Sequence, residues 1–89
     1  MSTSVEPIVI TTPPRAVRAW AAGRKIWIEL EDGREISFPA EKFSRLRNAH
    51  DAELACVRIE ARGKALRWEE LDEDISVAGI VAGRFGPGA

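Results

Sequence analysis

A chain of 89 residues with 45% hydrophobic and 30% charged side chains has the composition of one small globular domain that needs neither disulfide bonds nor metal ions. Its formal net charge of −1 argues against strong nonspecific binding of nucleic acid. The single cysteine, Cys56, excludes an intrachain disulfide bond and favours a reducing compartment. With no signal peptide and no apolar stretch of the roughly 20 residues that span a bilayer, we expect a cytoplasmic protein and no membrane partner.

The N-terminal residues 1–13 predict a tail or an edge strand, because Pro7 and the Pro13-Pro14 pair restrict strand pairing. A single domain is predicted over residues 14–84. Residues 85–89, which contain Gly86-Pro87-Gly88, predict a disordered C-terminus.

The first hairpin follows a short β-compatible segment over residues 15–20. In residues 25–31 the apolar Ile26 and Ile28 alternate with polar positions, which predicts a half-buried strand and places Trp27 on its opposite face. Asp32-Gly33 separates this run from a second alternating run over 34–38. That dipeptide predicts a type I′ turn, in which both central residues have positive φ.

The middle of the chain begins at Pro39, which predicts the end of a strand and the first turn of a helix. Residues 40–49 predict one short amphipathic helix, with Phe43 and Leu46 on its buried face. Residues 55–61 and 65–68 predict a second hairpin that turns at Gly63. In this hairpin Trp68 faces the core, and Cys56 is a small buried thiol in the first strand.

The chain ends in a predicted short helix from Ser76 to Ala82. Asp74 is its predicted N-cap, and Gly83 its C′ residue. The fold class is therefore α+β, in the order β-β-β-α-β-β-α. It consists of a small antiparallel sheet of two hairpins and a leading strand, one central amphipathic helix and a short C-terminal helix.

This order of signals resembles the bacterial domain of unknown function family 2442. The resemblance spans roughly residues 14–83, and its most specific part is the Trp-x-x-Leu-Asp-x-Asp-Ile-Ser-Val segment at residues 68–77. It implies a small α+β domain, sometimes fused to a helix-turn-helix domain and often encoded beside another small protein, as in a toxin–antitoxin pair. The residues that carry its structural signature are Asp32, Gly33, Pro39, Trp68, Leu71, Asp72, Asp74 and Ser76.

The acidic run places five carboxylates between residues 69 and 74. It lacks the glycine and the distant bidentate glutamate of an EF-hand loop, so no metal site is predicted. In a purely structural role Asp74 caps the last helix and Asp72 accepts backbone N–H bonds. In the alternative, partner recognition is added to that role, and the residues that face a basic partner are Glu69, Glu70 and Glu73.

The function expected from these features is protein binding without catalysis and without a cofactor. His50 is the only histidine and follows the predicted helix in a turn-like setting, where a general base is unusual. Trp27 is the predicted apolar anchor for another small protein, unless it packs beneath the N-terminal Ile8–Ile10, and Trp20 stays undecided. The alternatives are a nucleic-acid-binding or regulatory module that uses a basic sheet face, and a homo-oligomer formed through a sheet edge.

Overall fold

The structure is a computed structural model that describes residues 13–85, which form two three-stranded antiparallel sheets and three short helices. The strand orders are β1-β2-β3 and β4-β5-β6. The predicted α+β class and antiparallel pairing are confirmed. The prediction of one sheet is wrong, because an additional strand forms within the acidic run and completes a second sheet.

The first sheet consists of β1 (Ala16–Ala22), β2 (Lys25–Leu30) and β3 (Glu35–Pro39). Ile26 and Ile28 are fully buried, as their alternation predicts. The predicted hairpin forms, but its turn is not type I′. That turn needs a positive φ at both central residues, and here only Gly33 has one, at +94°, whereas the φ of Asp32 is negative. Instead, Leu30 accepts from the N–H of Gly33 at 2.9 Å, which gives a longer loop with a glycine bulge.

The middle segment is broken into three short turns rather than one helix. A 3₁₀ turn covers Ala40–Lys42, and α1 (Ser44–Arg47) and α2 (Asp51–Leu54) follow. Phe43 interrupts the helix with φ −126° and ψ 125°, and this extended backbone directs its ring into the core. His50 precedes α2, where its backbone N–H donates to the Glu53 carboxylate at 2.7 Å, and its ring is exposed.

The second sheet consists of β4 (Arg58–Glu60), β5 (Ala65–Trp68) and β6 (Glu73–Ser76), and α3 (Val77–Val81) follows it. Asp74 lies in β6 and does not cap α3, contrary to prediction. Ser76 is the N-cap, since its hydroxyl oxygen accepts from the Gly79 N–H at 3.0 Å. Gly83 has a φ of +81°, and its N–H donates to the Ile80 carbonyl at 2.9 Å, so the predicted helix end is confirmed.

The predicted positions of Cys56 and Phe85 need correction. Cys56 lies between α2 and β4 and is exposed, so it is not a buried strand thiol. Phe85, which the sequence assigns to the C-terminal tail, packs against the core with its ring centroid 6.4 Å from that of Phe38. The predicted N-terminal tail and C-terminal end otherwise fall on residues 1–12 and 86–89, outside the described range.

The two sheets meet where the start of β1 passes the loop between β4 and β5. This loop holds three consecutive residues at positive φ, namely Ala61, Arg62 and Gly63. A Cβ atom on Gly63 would lie 2.7 Å from the carbonyl oxygen of Ala16. Only glycine therefore allows this close approach of the two backbones. Buried side chains from both sheets form one hydrophobic core.

Candidate interaction surfaces

The outer side of the first sheet carries a row of aromatic side chains. The strand register places Trp20 directly opposite Trp27 and Arg18 opposite Glu29, on the face away from the buried Ile26 and its neighbours. Residues that lie directly opposite each other in antiparallel strands share one face. We define this surface as the tryptophan face, formed by Arg18, Trp20, Ala22, Lys25, Trp27, Glu29, Glu35, Ser37 and Pro39.

The two indoles at the centre of this face stack on each other. Their ring centroids are 6.2 Å apart with an interplanar angle of 8°, which is an offset parallel arrangement. The Arg18 guanidinium carbon lies 4.4 Å from the Trp20 ring centroid, and the Lys25 Nζ lies 5.9 Å from that of Trp27. Both indoles are half-buried and each has a cation over its ring. The predicted outward position of Trp27 is confirmed, whereas the alternative cover by Ile8–Ile10 falls outside the described residues.

The acidic run is neutralised from within by one arginine of β5. The Arg67 guanidinium contacts Asp74 at 2.8 Å, Glu69 at 2.9 Å and Asp72 at 3.2 Å. These hydrogen bonds raise the pKa of Arg67, and the guanidinium in turn holds the pKa of Glu69 below its usual value. The run is therefore not a bare acidic patch. The carboxylates of Glu69, Asp72 and Asp74 remain exposed around this arginine, and Glu70 is exposed as well.

Glu73 lies apart from the other acids, on the inner side of β6. It is paired with the buried Trp68, and its side chain is only 16% exposed. Burial raises the pKa of Glu73, while the Arg45 guanidinium, 3.5 Å away, acts in the opposite direction. Arg45 also donates to the backbone carbonyl of Asp72. Glu73 thus helps to hold β6 against α1 and presents little of its carboxylate to solvent.

The predicted site residues fall on two separate surfaces. Trp27 belongs to the first sheet, whereas the acidic residues belong to the second. The residues that sequence reasoning missed are Trp20 and Arg67. For Trp20 the signal was the two-residue turn at Gly23-Arg24, which fixes its register opposite Trp27. No sequence pattern pointed to Arg67, because its partners are brought together only by the third strand.

The basic residues of the second sheet do not form a free cationic surface. On its outer face Arg58 donates to Glu60 at 2.6 Å, and Arg67 is held by the acidic run. Arg24 makes contacts within the fold: its guanidinium donates to the carbonyls of Leu46, Arg47 and Ala49 and to the Asp51 carboxylate, over 2.8–3.2 Å.

Within residues 13–85 no group of three His, Cys, Asp or Glu side chains is arranged to hold a metal ion. No helix of the same range is long and apolar enough to cross a membrane.

In the signature segment at 68–77 Trp68 has the expected core position, whereas the Asp72 carboxylate accepts from the Arg67 guanidinium at 3.2 Å instead of from the backbone. The Trp68 indole N–H donates to the carbonyl of Leu54 at 3.0 Å, and Leu71 packs against the core. Asp72 takes the left-handed conformation at φ 53° that turns the chain into β6. The family model described as "Protein of unknown function (DUF2442)" matches residues 16–86.

The chain belongs to the DUF2442 family.

Two solved structures resemble this DUF2442 domain. A crystal structure of a protein of unknown function from Rhodospirillum rubrum is 36% identical, with a TM-score of 0.80, over 85% of this chain and 94% of that one. A solution NMR structure of an uncharacterized protein from Chromobacterium violaceum is 24% identical, with a TM-score of 0.72, over 82% of this chain and 69% of that one. The second likeness concerns the fold alone. No curated protein matches the chain.

The other signature positions of the DUF2442 domain shape its first sheet. Asp32 accepts from the Arg34 backbone N–H at 3.0 Å, and this bond keeps the pKa of Asp32 below its usual value. Pro39 is the last residue of β3, opposite Lys25, and precedes the 3₁₀ turn. Pro39 lies at the edge of the tryptophan face, whereas Asp32 and the 68–77 segment lie outside it. The signature residues therefore shape the scaffold, and the stacked Trp20 and Trp27 are not among them.

Proposed function

We propose that this DUF2442 protein is a non-enzymatic protein-binding domain that uses the tryptophan face as its contact surface. The observation that supports the proposal is the stacked pair of Trp20 and Trp27 on the outer side of the first sheet. A cluster of aromatic side chains with a charged rim is the usual composition of the residues that dominate binding energy at protein interfaces.

The two indoles have no evident role in the core. The inner side of the same strands is already filled by Ile26, Ile28 and Phe38, each of which is at most 1% exposed. The energy of burying the outer faces of Trp20 and Trp27 is thus available for association.

The acidic residues contribute a second, weaker element to the proposal. Glu69 and Glu70 are exposed and could steer a basic partner, since charge complementarity mainly speeds encounter. Glu73 is left out, because its side chain is withdrawn from solvent.

The partner in this proposal is a small protein of a two-protein bacterial module, in which this chain is the antitoxin-like or accessory half. This part rests on the family resemblance alone. A cytoplasmic setting is also part of the proposal and is supported by the single cysteine of the chain.

A second candidate is the binding of single-stranded nucleic acid, because bases stack on exposed aromatic side chains flanked by cations. The tryptophan face has such cations in Arg18 and Lys25. However, it also carries Glu29 and Glu35, which would repel a phosphate backbone. We therefore favour a protein partner.

The test is affinity purification from a lysate of the native host, with and without nuclease. The tagged wild type is compared with the double variant W20S/W27S and with V81S, which alters an exposed apolar residue of α3 instead. We expect a stoichiometric protein that survives nuclease and that is lost only from W20S/W27S. Retention by the double variant would contradict the assigned surface. Recovery of nucleic acid, with binding that weakens steeply as salt rises, would favour the second candidate.

A further inference from the structure

The residues of the tryptophan face are arranged in three rows that run across the strands, and the charged residues lie in the two outer rows. Ala22, Lys25 and Pro39 form the lysine row at one end. Trp20, Trp27 and Ser37 form the tryptophan row in the middle. Arg18, Glu29 and Glu35 form the acidic row at the other end.

This layout makes the face electrically neutral as a whole but polar along the strands. Two cations balance two carboxylates, yet the lysine row is positive and the acidic row carries the excess negative charge. Within the acidic row Arg18 already pairs with Glu29 at 2.7 Å, so Glu35 is the residue that supplies that excess. A neutral surface with opposite charges at its two ends is complementary to an inverted copy of itself.

Resting on the proposed function, we propose that while the partner is absent the tryptophan face is covered by a second copy of this chain, in a two-fold symmetric dimer. The axis lies in the plane between the two faces and runs along the tryptophan row. This operation places each residue of β2 opposite a residue of the partner's β2, with the strand direction reversed.

The axis along the tryptophan row is selected by the charges. It places Lys25 of each copy opposite Glu29 of the other, and symmetry makes this contact twice. It also sets Trp27 against Trp27 at the centre, and the uncharged Pro39 and Ala22 opposite the remaining charges. An axis along β2 would instead set Lys25 against Lys25 and Glu29 against Glu29, and its attractive contacts would be those of Glu35 with Arg18, which already pairs with Glu29. Like charges placed together in an interface disfavour that second arrangement.

The size of the face determines how strong such a dimer can be. Three strands and five residues along each strand give a patch about 15 Å on a side. This is small for a protein interface, so the dimer belongs to the weak class that forms at micromolar or higher concentrations. The stacked indoles are already held by Arg18 and Lys25, and they therefore lose little side-chain freedom on association.

The test uses a charge exchange between two variants, K25E and E29K. In a K25E dimer each introduced carboxylate faces Glu29, and in an E29K dimer each introduced ammonium faces Lys25. We expect each single variant to dimerise about tenfold more weakly than the wild type. In an equimolar mixture every such contact is attractive again, so we expect a heterodimer with an affinity near that of the wild type.

The measurement is sedimentation velocity over micromolar to millimolar protein, supported by static light scattering. K64E is the matched control, because Lys64 is an exposed lysine next to β5 of the second sheet, and it should leave the dimer unchanged. Circular dichroism and thermal melting verify that E29K, which also removes the Arg18 pair, still folds. K25E does not disturb that pair and is the stricter variant.

Three outcomes would overturn the dimer. A wild type that stays monomeric to millimolar concentration would remove it, and so would a dimer that K25E and E29K leave intact. An equimolar mixture of K25E and E29K that associates more tightly than the wild type would indicate the axis along β2, because on that axis the exchange turns two like-charge contacts into two attractive ones. The dimer can fail while the proposed function holds. A monomeric wild type that still captures a host protein through Trp20 and Trp27 would refute the dimer and leave protein binding intact.

Discussion

The indole N–H of Trp68 donates to the backbone carbonyl of Leu54 across 3.0 Å, in the interior of the protein. The bond joins β5 to the end of α2 and satisfies a polar atom that water cannot reach. Trp68 is 1% exposed and is the largest of the fully buried side chains. The first residue of the family signature is therefore both a packing element and a hydrogen-bond donor.

We expect the W68F substitution to lower the free energy of unfolding by about 2–3 kcal/mol. The phenyl ring leaves part of the indole volume empty and leaves the Leu54 carbonyl without its donor. Urea denaturation monitored by circular dichroism measures the change. W27F is the matched control on the outer face, where we expect a loss of less than about 1 kcal/mol. Equal losses for both variants would contradict this assignment.

Gly63 is expected to be the least replaceable glycine in the described chain. Alanine there combines a φ of +89° with a Cβ atom 2.7 Å from the Ala16 carbonyl oxygen. We expect G63A to cost about 3 kcal/mol, because the loop must move away from β1. Gly23 has a φ of +62° but open space around its Cβ position, so G23A should cost only about 1 kcal/mol. Thermal melting of the two variants measures the difference, and similar melting temperatures would refute the contact at Gly63.

Arg24 is expected to stabilise the protein through the shape of its side chain more than through its charge. Its guanidinium reaches three carbonyls at the ends of the short helical segments. Lysine keeps the charge but cannot make these contacts together, so R24K should cost about 1–2 kcal/mol in chemical denaturation. R47K, a change on the exposed side of α1, should stay within about 0.5 kcal/mol of the wild type. An R24K protein as stable as R47K would show that the carbonyl contacts contribute little.

Glu73 predicts a specific pH dependence of stability. Burial raises its pKa above the ordinary value of 4.5, so the folded state binds the proton more tightly than the unfolded state. The stability from this proton is present below the unfolded pKa and is lost as pH rises through the folded pKa. E73Q lacks the titration, and we therefore expect the stability of E73Q relative to the wild type to increase as pH rises through this window.

Urea denaturation of both proteins at a series of pH values from below 4.5 upwards measures this difference. Other carboxylates whose pKa is lowered, such as Asp32 and Glu69, contribute equally to both proteins and cancel in the comparison. A constant difference between wild type and E73Q across the window would show that Glu73 titrates as an exposed residue.

The strands of the first sheet were predictable because their apolar residues alternate. Ile26 and Ile28 are enough to define the buried face of β2, and parity then places Trp27 outside. The position of Trp20 was not predictable in the same way, since Ala19 and Ala21 give β1 little contrast between its faces. Its pairing with Trp27 follows instead from the two-residue turn at Gly23-Arg24, which fixes the register of the hairpin.

The sixth strand was missed because its sequence is typical of a solvated loop. Glu73–Ser76 becomes a strand because Ile75 is buried in the core and Asp74 meets Arg67 across the ladder. The break at Phe43 has a related cause, since the core takes up its ring at the expense of a continuous helix. In each case tertiary contacts outweighed the local propensity of the segment.

Arg67 is a counterion for the acidic run that is built into the chain itself. Many proteins rely on a bound calcium ion to hold a crowded acidic segment together. Here the counterion is a guanidinium that is part of the polypeptide. A tethered cation can be neither diluted nor removed by a chelator. The most acidic segment of the chain is therefore held together whatever the supply of divalent ions.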